Sequence, residues 1–193
     1  MMRRGLWIAL GVIAVLVLAG LLVFGSYVSA RNQMVAKQFA VQAQWGQVQT
    51  VLQRRADLIP NLVATVKGAA QHEETVFADV DKARQALLSA HDPQSQIQAN
   101  GQLDGALGRL LAVAENYPNL KANQNFLELQ DQLEGTENRI AVERHRYNEA
   151  VQDYDTFIGQ FPNDIWAKIA GFKQNNAYFA ASSAAQQAPQ VHF

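Results

Sequence analysis

The chain has 193 residues, a formal net charge of −1 and no cysteine. Basic and acidic residues are interspersed, which excludes a basic face for nucleic acid, and the missing thiols exclude disulfides, a lipidated cysteine and any thiolate metal site. Ala, Gln, Leu, Val and Glu dominate, a helix-forming mixture, and no long stretch alternates with period two, so the expected fold is all-α.

Gly5 to Ala30 carries no charged residue. A bilayer core of roughly 30 Å needs about 20 apolar residues at 1.5 Å rise each, and Leu6 to Phe24 supplies them. Such a segment must satisfy its own backbone, so it is expected to be a transmembrane helix. Trp7 and Tyr27 suit the two headgroup zones. A cleaved signal peptide is the alternative, with Arg3-Arg4 as basic start and Val28-Ser29-Ala30 as cleavage site, but the apolar run exceeds a usual signal core. The slight excess of positive charge before the span puts the N-terminus inside and the rest of the chain on the outer side.

Met34, Val41, Trp45, Val48 and Leu52 follow in steps of three, four and seven, the stripe of an amphipathic helix continuing out of the anchor. Pro60 is expected to end it, because proline lacks the amide proton and crowds the preceding turn. A second helix reads Leu62, Val66, Ala69, Glu73, Val76, Val80, Ala83 and Leu87, a heptad seam closed by His91-Asp92-Pro93. The third is expected from about Ile97 to Tyr117, with Leu103, Leu107, Leu110, Leu111 and Ala114 inward. The fourth runs from about Asn125 to Phe161, where Phe126, Leu133, Ile140, Tyr147, Tyr154 and Phe161 recur at sevens. An anchor over 1–30, an antiparallel four-helix coiled-coil-like bundle over 31–161, a short amphipathic segment over 162–179 and a low-complexity tail over 180–193 are the expected domains.

Arg54-Arg55-Ala56-Asp57-Leu58-Ile59-Pro60-Asn61-Leu62-Val63, Arg109-Leu110-Leu111-Ala112-Val113 with Tyr117-Pro118, Leu120-Lys121-Ala122-Asn123, Leu133-Glu134-Gly135-Thr136-Glu137-Asn138-Arg139-Ile140-Ala141 and Arg146-Tyr147-Asn148 together resemble the signature of the LemA family. The resemblance spans about Asn32 to Phe172. It implies a bacterial inner-membrane protein with an N-terminal anchor and a helical bundle, and no established reaction. Some members are associated with magnetosome membranes, which by analogy suggests membrane organisation.

Chemistry is hard to find. His72, His91, His145 and His192 are scattered, and neither HExxH nor Glu-x-x-His occurs. No metal, cofactor or catalytic residue is expected. Glu73, Arg109, Glu134, Glu137, Arg139, Glu143 and Arg144 form a candidate buried polar girdle, with Glu73 pairing to an arginine of helix three or four. Such a network fixes register among similar helices more than it adds stability; an ion or small-ligand site is the functional alternative. Arg54, Arg55 and Asp57, with Lys121, Asn123 and Asn125, lie at two expected turns about 40 Å from the bilayer. They read as caps and ion pairs, or as a docking surface for a protein partner. After Pro162, Ile165, Trp166, Ile169 and Phe172 with Lys168 and Lys173 make a short helix suited to the membrane surface, or to sealing the bundle's open end. The expected whole is a non-enzymatic, self-associating scaffold or adaptor; a membrane-remodelling subunit and an ion-handling protein are its rivals.

Overall fold

A computed structural model describes residues 2–70 and 72–179. The expected tail over 180–193 lies outside the described residues. Among the described residues there are six helices and no strand: α1 (Met2–Ala69), α2 (Glu74–Ser89), α3 (Pro93–Glu115), α4 (Pro118–Lys121), α5 (Gln124–Gly159) and α6 (Asn163–Ala170). The all-α expectation holds. Two compact units divide the chain, and α1 and α5 contribute to both.

The first unit takes the chain up to Val41 together with Ala150–Asn175. From Leu10 to Phe24 every large apolar side chain of α1 is exposed. This is the one helix among the described residues long and apolar enough to cross a membrane. Further along, Ala30, Met34 and Val41 are buried. Lys37 reaches Asp153 at 3.6 Å and lies 5.6 Å from the centre of the Phe157 ring. Tyr154 donates its hydroxyl to the Lys173 carbonyl at 2.9 Å, and burial, helped by neighbouring Asp155, pushes this phenol above its ordinary value. Asp155 in turn accepts from the Asn175 amide at 2.8 Å. Gly171 has a positive φ and ends α6 in the left-handed conformation that glycine adopts without penalty.

The second unit takes Gln42–Glu149 and the chain from Asn176 onward. Its core begins with Trp45, Val48 and Leu52 of α1, as the stripe predicts. Pro60 does not end the helix: α1 runs on to Ala69 with the proline inside it. Proline removes the amide that the carbonyl four residues back would accept. That carbonyl belongs to Ala56, and Arg84 of α2 supplies the missing donor, Nε to oxygen at 2.8 Å. The seam therefore continues unbroken through Arg55, Ile59, Leu62 and Val66, all buried, in steps of four and three.

The break falls later, between Ala69 and Glu74. It divides the expected second helix and shifts its phase, so Ala70 and Phe77 are buried in place of Ala69 and Val76. Val80, Ala83 and Leu87 resume the seam and α2 packs along α3. α3 starts earlier than its apolar pattern suggests because Asp92 caps it, accepting from the Ser95 amide at 2.9 Å, with Pro93 in the first turn. Leu103, Leu107, Leu110 and Ala114 are buried and Leu111 is half-buried. Asn123 caps α5, accepting from the Asn125 and Phe126 amides at 3.0 and 3.3 Å. Along α5, Phe126, Ile140, Tyr147 and Tyr154 are buried, Leu133 is half-buried, and Phe161, beyond the helix end, is exposed.

Candidate functional site

Arg55 is the centre of the second unit's polar interior. Its place in the α1 seam buries it, so its charge has to be met inside the protein. α3 and α5 meet it. Nη1 donates to Asn100 Oδ1 at 3.1 Å and to Asp104 Oδ1, and lies 3.0 Å from Glu137 Oε2. Asn100, also buried, uses its other end to donate to Asp104 Oδ2 at 3.2 Å, which fixes both side chains. Arg144 adds a second positive charge, 3.8 Å from Asp104 and 3.9 Å from Glu137. Two guanidiniums thus face two carboxylates, and three helices are tied to one point.

The Arg144 guanidinium also stacks 5.2 Å from the centre of the Phe179 ring, a cation–π contact. Phe179 completes an aromatic group with Trp45 and Tyr147, ring centres 5.1 to 6.1 Å apart. Asn148 holds the Phe179 backbone from both sides, donating to its carbonyl at 2.8 Å and accepting from its amide at 3.0 Å. A cleft of about 300 Å³ lies beside the cluster, lined by Leu62, Leu107, Leu111 and Leu133 with Arg55, Gln130, Glu134 and Glu137.

Of the seven girdle candidates, the structure brings Glu137 and Arg144 into this cluster. Glu73 stands in the break before α2, half-buried and without an ion pair among the described residues, because the helix ends before its expected slot. Arg109 pairs at 3.0 Å with Asp79 on the surface. Glu143 pairs with Arg146 at 2.9 Å, while Glu134 and Arg139 are exposed. Arg55, expected on the docking surface, is inside; Arg54, Asp57, Lys121, Asn123 and Asn125 are exposed, with Asp57 accepting from Gln53. Asn100 and Asp104 escaped the sequence reading.

In the first unit the Trp166 and Tyr27 rings meet in a T-shaped arrangement, centres 5.6 Å apart, and the Trp166 indole nitrogen is buried. Phe172 is half-buried. Ile165, Ile169, Lys168 and Lys173 are exposed, and Lys168 pairs with Asp164 at 3.3 Å. No group of three or more metal-ligating side chains gathers among the described residues.

These features define an all-helical protein with an unburied apolar N-terminal helix and an interior ion cluster. Its family is shown by direct comparison: the LemA family model matches residues 44–193, and the chain belongs to the LemA family. Magnetosome protein MamQ of Magnetospirillum gryphiswaldense is 25% identical over 169 residues, covering 74% of this chain and 62% of its own. Magnetosome protein MamQ 2 of Paramagnetospirillum magneticum is 27% identical over 169 residues with the same coverage. Protein LemA of Metamycoplasma hominis is 24% identical over 160 residues, 81% of this chain and 71% of its own. The chain spans about three-fifths of the length of the magnetosome relatives. The apolar helix and these relatives are consistent with a membrane protein.

Proposed function

We propose that this LemA-family chain is a single-pass protein of the bacterial inner membrane, its helical part on the outer side, acting without catalysis as a self-associating scaffold or adaptor. The observation that carries this reading is the Arg55 cluster. Buried Arg55 and half-buried Asp104, Glu137 and Arg144 face one another across α1, α3 and α5, which suits a device that holds helices in register rather than one that receives a substrate. Exposed Arg54, Asp57, Lys121 and Asn125 are the residues offered to a protein partner.

Cross-linking in native membranes tests self-association. Dimers or larger ladders are expected, and monomers alone would refute it. Arg54→Glu combined with Asp57→Lys should reduce the yield of a partner cross-linked to the wild type while leaving helicity unchanged, since surface charges rarely decide folding. Two of the relatives are named as magnetosome proteins, and a subunit that remodels membranes is the second reading. Vesicles carrying the purified chain would then tubulate or bud under electron microscopy.

A further inference from the structure

Phe161 is 82% exposed, Ile169 65% and Ile165 43%. That is an unusual concentration of bare apolar side chains around one short helix. Ile165 and Ile169 are four residues apart and share a face of α6. The opposite side is already occupied: Ala167 is buried and Trp166 lies on Tyr27. Tyr27 is three residues beyond Phe24, where the apolar run of α1 ends, which is roughly 5 Å along the helix axis. The contact therefore fixes α6 at the level where a bilayer crossed by α1 changes from acyl chains to headgroups. Exposed apolar side chains of α1 reach this level at Phe24 and Val28, on either side of Tyr27. Lys173, also exposed, carries charge suited to phospholipid phosphates, while Lys168 is met by Asp164 at 3.3 Å.

We propose that Phe161, Ile165 and Ile169 enter the acyl–headgroup boundary of the same bilayer that α1 spans, making α6 a second, shallow membrane contact. The occupant of this face is lipid rather than another protein, because the Tyr27–Trp166 contact holds α6 at the end of the span, where a bilayer crossed by α1 has its boundary. Trp166 acts here through Tyr27, as the strut that holds α6 at that depth. The inference rests on the transmembrane reading of α1.

The native chain has no cysteine, so single cysteines can carry an environment-sensitive fluorophore without background. Ile169→Cys, Phe161→Cys and, as reference, Leu16→Cys in the full chain are reconstituted into phosphatidylethanolamine–phosphatidylglycerol vesicles. Quenching lipids bear the quencher either near the headgroup or deep in the chain, and iodide probes water. Leu16→Cys should respond to the deep quencher alone. Ile169→Cys and Phe161→Cys should respond most to the shallow quencher, with blue-shifted emission and loss of iodide quenching relative to detergent-free unfolded chain. If Leu16→Cys answers the deep lipid while both other probes answer only iodide, α6 faces water and the proposal is overturned with the span intact. If those probes answer neither lipid nor iodide, protein covers the face and the proposal is equally overturned. A Leu16→Cys probe that no lipid quenches overturns the span, and this inference with it.

Discussion

Arg55 and Arg54 are neighbours in sequence with opposite fates, and they make the clearest test of the cluster. Truncating Arg55 leaves Asp104 and Glu137 without their closest partner, and removing one member of a buried pair costs about 3–5 kcal/mol by precedent. Both carboxylates are partly exposed, at 40% and 43% of their side-chain surface, so water recovers part of that. Arg55→Ala is therefore expected to lower stability by about 2–3 kcal/mol, whereas exposed Arg54→Ala should stay within about 0.5 kcal/mol. Urea unfolding of the detergent-solubilised chain, followed by circular dichroism, separates the two. Asp92 supplies a pH test. The Ser95 hydroxyl, and then the Ser95 amide, hold its carboxyl below the ordinary value of 3.8. A lowered folded-state value means the cap stabilises α3 above that ordinary value and is lost as pH falls through and below it. Protection of the first-turn amides of α3, taken relative to the intrinsic exchange rate at each pH, should fall over that descent, and Asp92→Asn, which can still cap, should flatten the dependence. What the sequence told at this scale was uneven. Asn100 continues the spacing of Leu103, Leu107 and Leu110, so its burial was readable, but its partner lies 45 residues away. Periodicity says which side chains turn inward and nothing about which of them meet.

At the scale of the element, one proline explains most of the differences between the expected and observed helices. Read locally, Pro60 is a stop; in the structure the carbonyl it orphans finds a side-chain donor from α2. Because the helix continues, Arg55 joins a seam instead of a turn, and the break moves to the segment before Glu74. No local rule announces a donor 28 residues away. Arg84→Ala should cost about 1–3 kcal/mol by leaving the partly buried Ala56 carbonyl unsatisfied. Pro60→Ala restores the intrahelical amide, so in that background the same arginine change should cost much less. A double-mutant cycle measuring both singles and the double by urea unfolding should show a coupling of about 0.5–3 kcal/mol. Additive effects would mean that Arg84 is not the proline's complement. The helix starts, by contrast, were written locally: Asp92-Pro93 and Asn123 begin α3 and α5 with side chains that accept the orphan amides.

For the whole molecule the question is whether α1 stays in the membrane or is removed as a signal peptide. Its apolar run was the most legible feature of the sequence, since bilayer thickness sets a length that needs no knowledge of tertiary contacts. The structure adds a reason for retention at the other end of that run. Signal cleavage would fall after Ala30, yet 28–30 is helical, Ala30 is buried, and Tyr27 just before it holds Trp166. Cleavage there would cut Tyr27 away from Trp166, so the folded first unit makes use of the very segment a signal peptidase would remove. The protein extracted from membranes should therefore retain residues 1–30 by intact mass. Insertion should also follow the transfer energies of the span. Each Leu, Ile, Val or Phe contributes about −0.3 to −0.6 kcal/mol near the helix centre, so Leu6 to Phe24 gains roughly 4–8 kcal/mol. A central arginine costs about 2.5–3.5 kcal/mol. Leu16→Arg alone should leave the chain resistant to alkaline carbonate, while Leu16→Arg with Leu18→Arg, at a cost of about 5–7 kcal/mol, should release much of it. A chain that carbonate strips in its wild-type form, or one whose mass shows the first thirty residues gone, would show that α1 serves only for export.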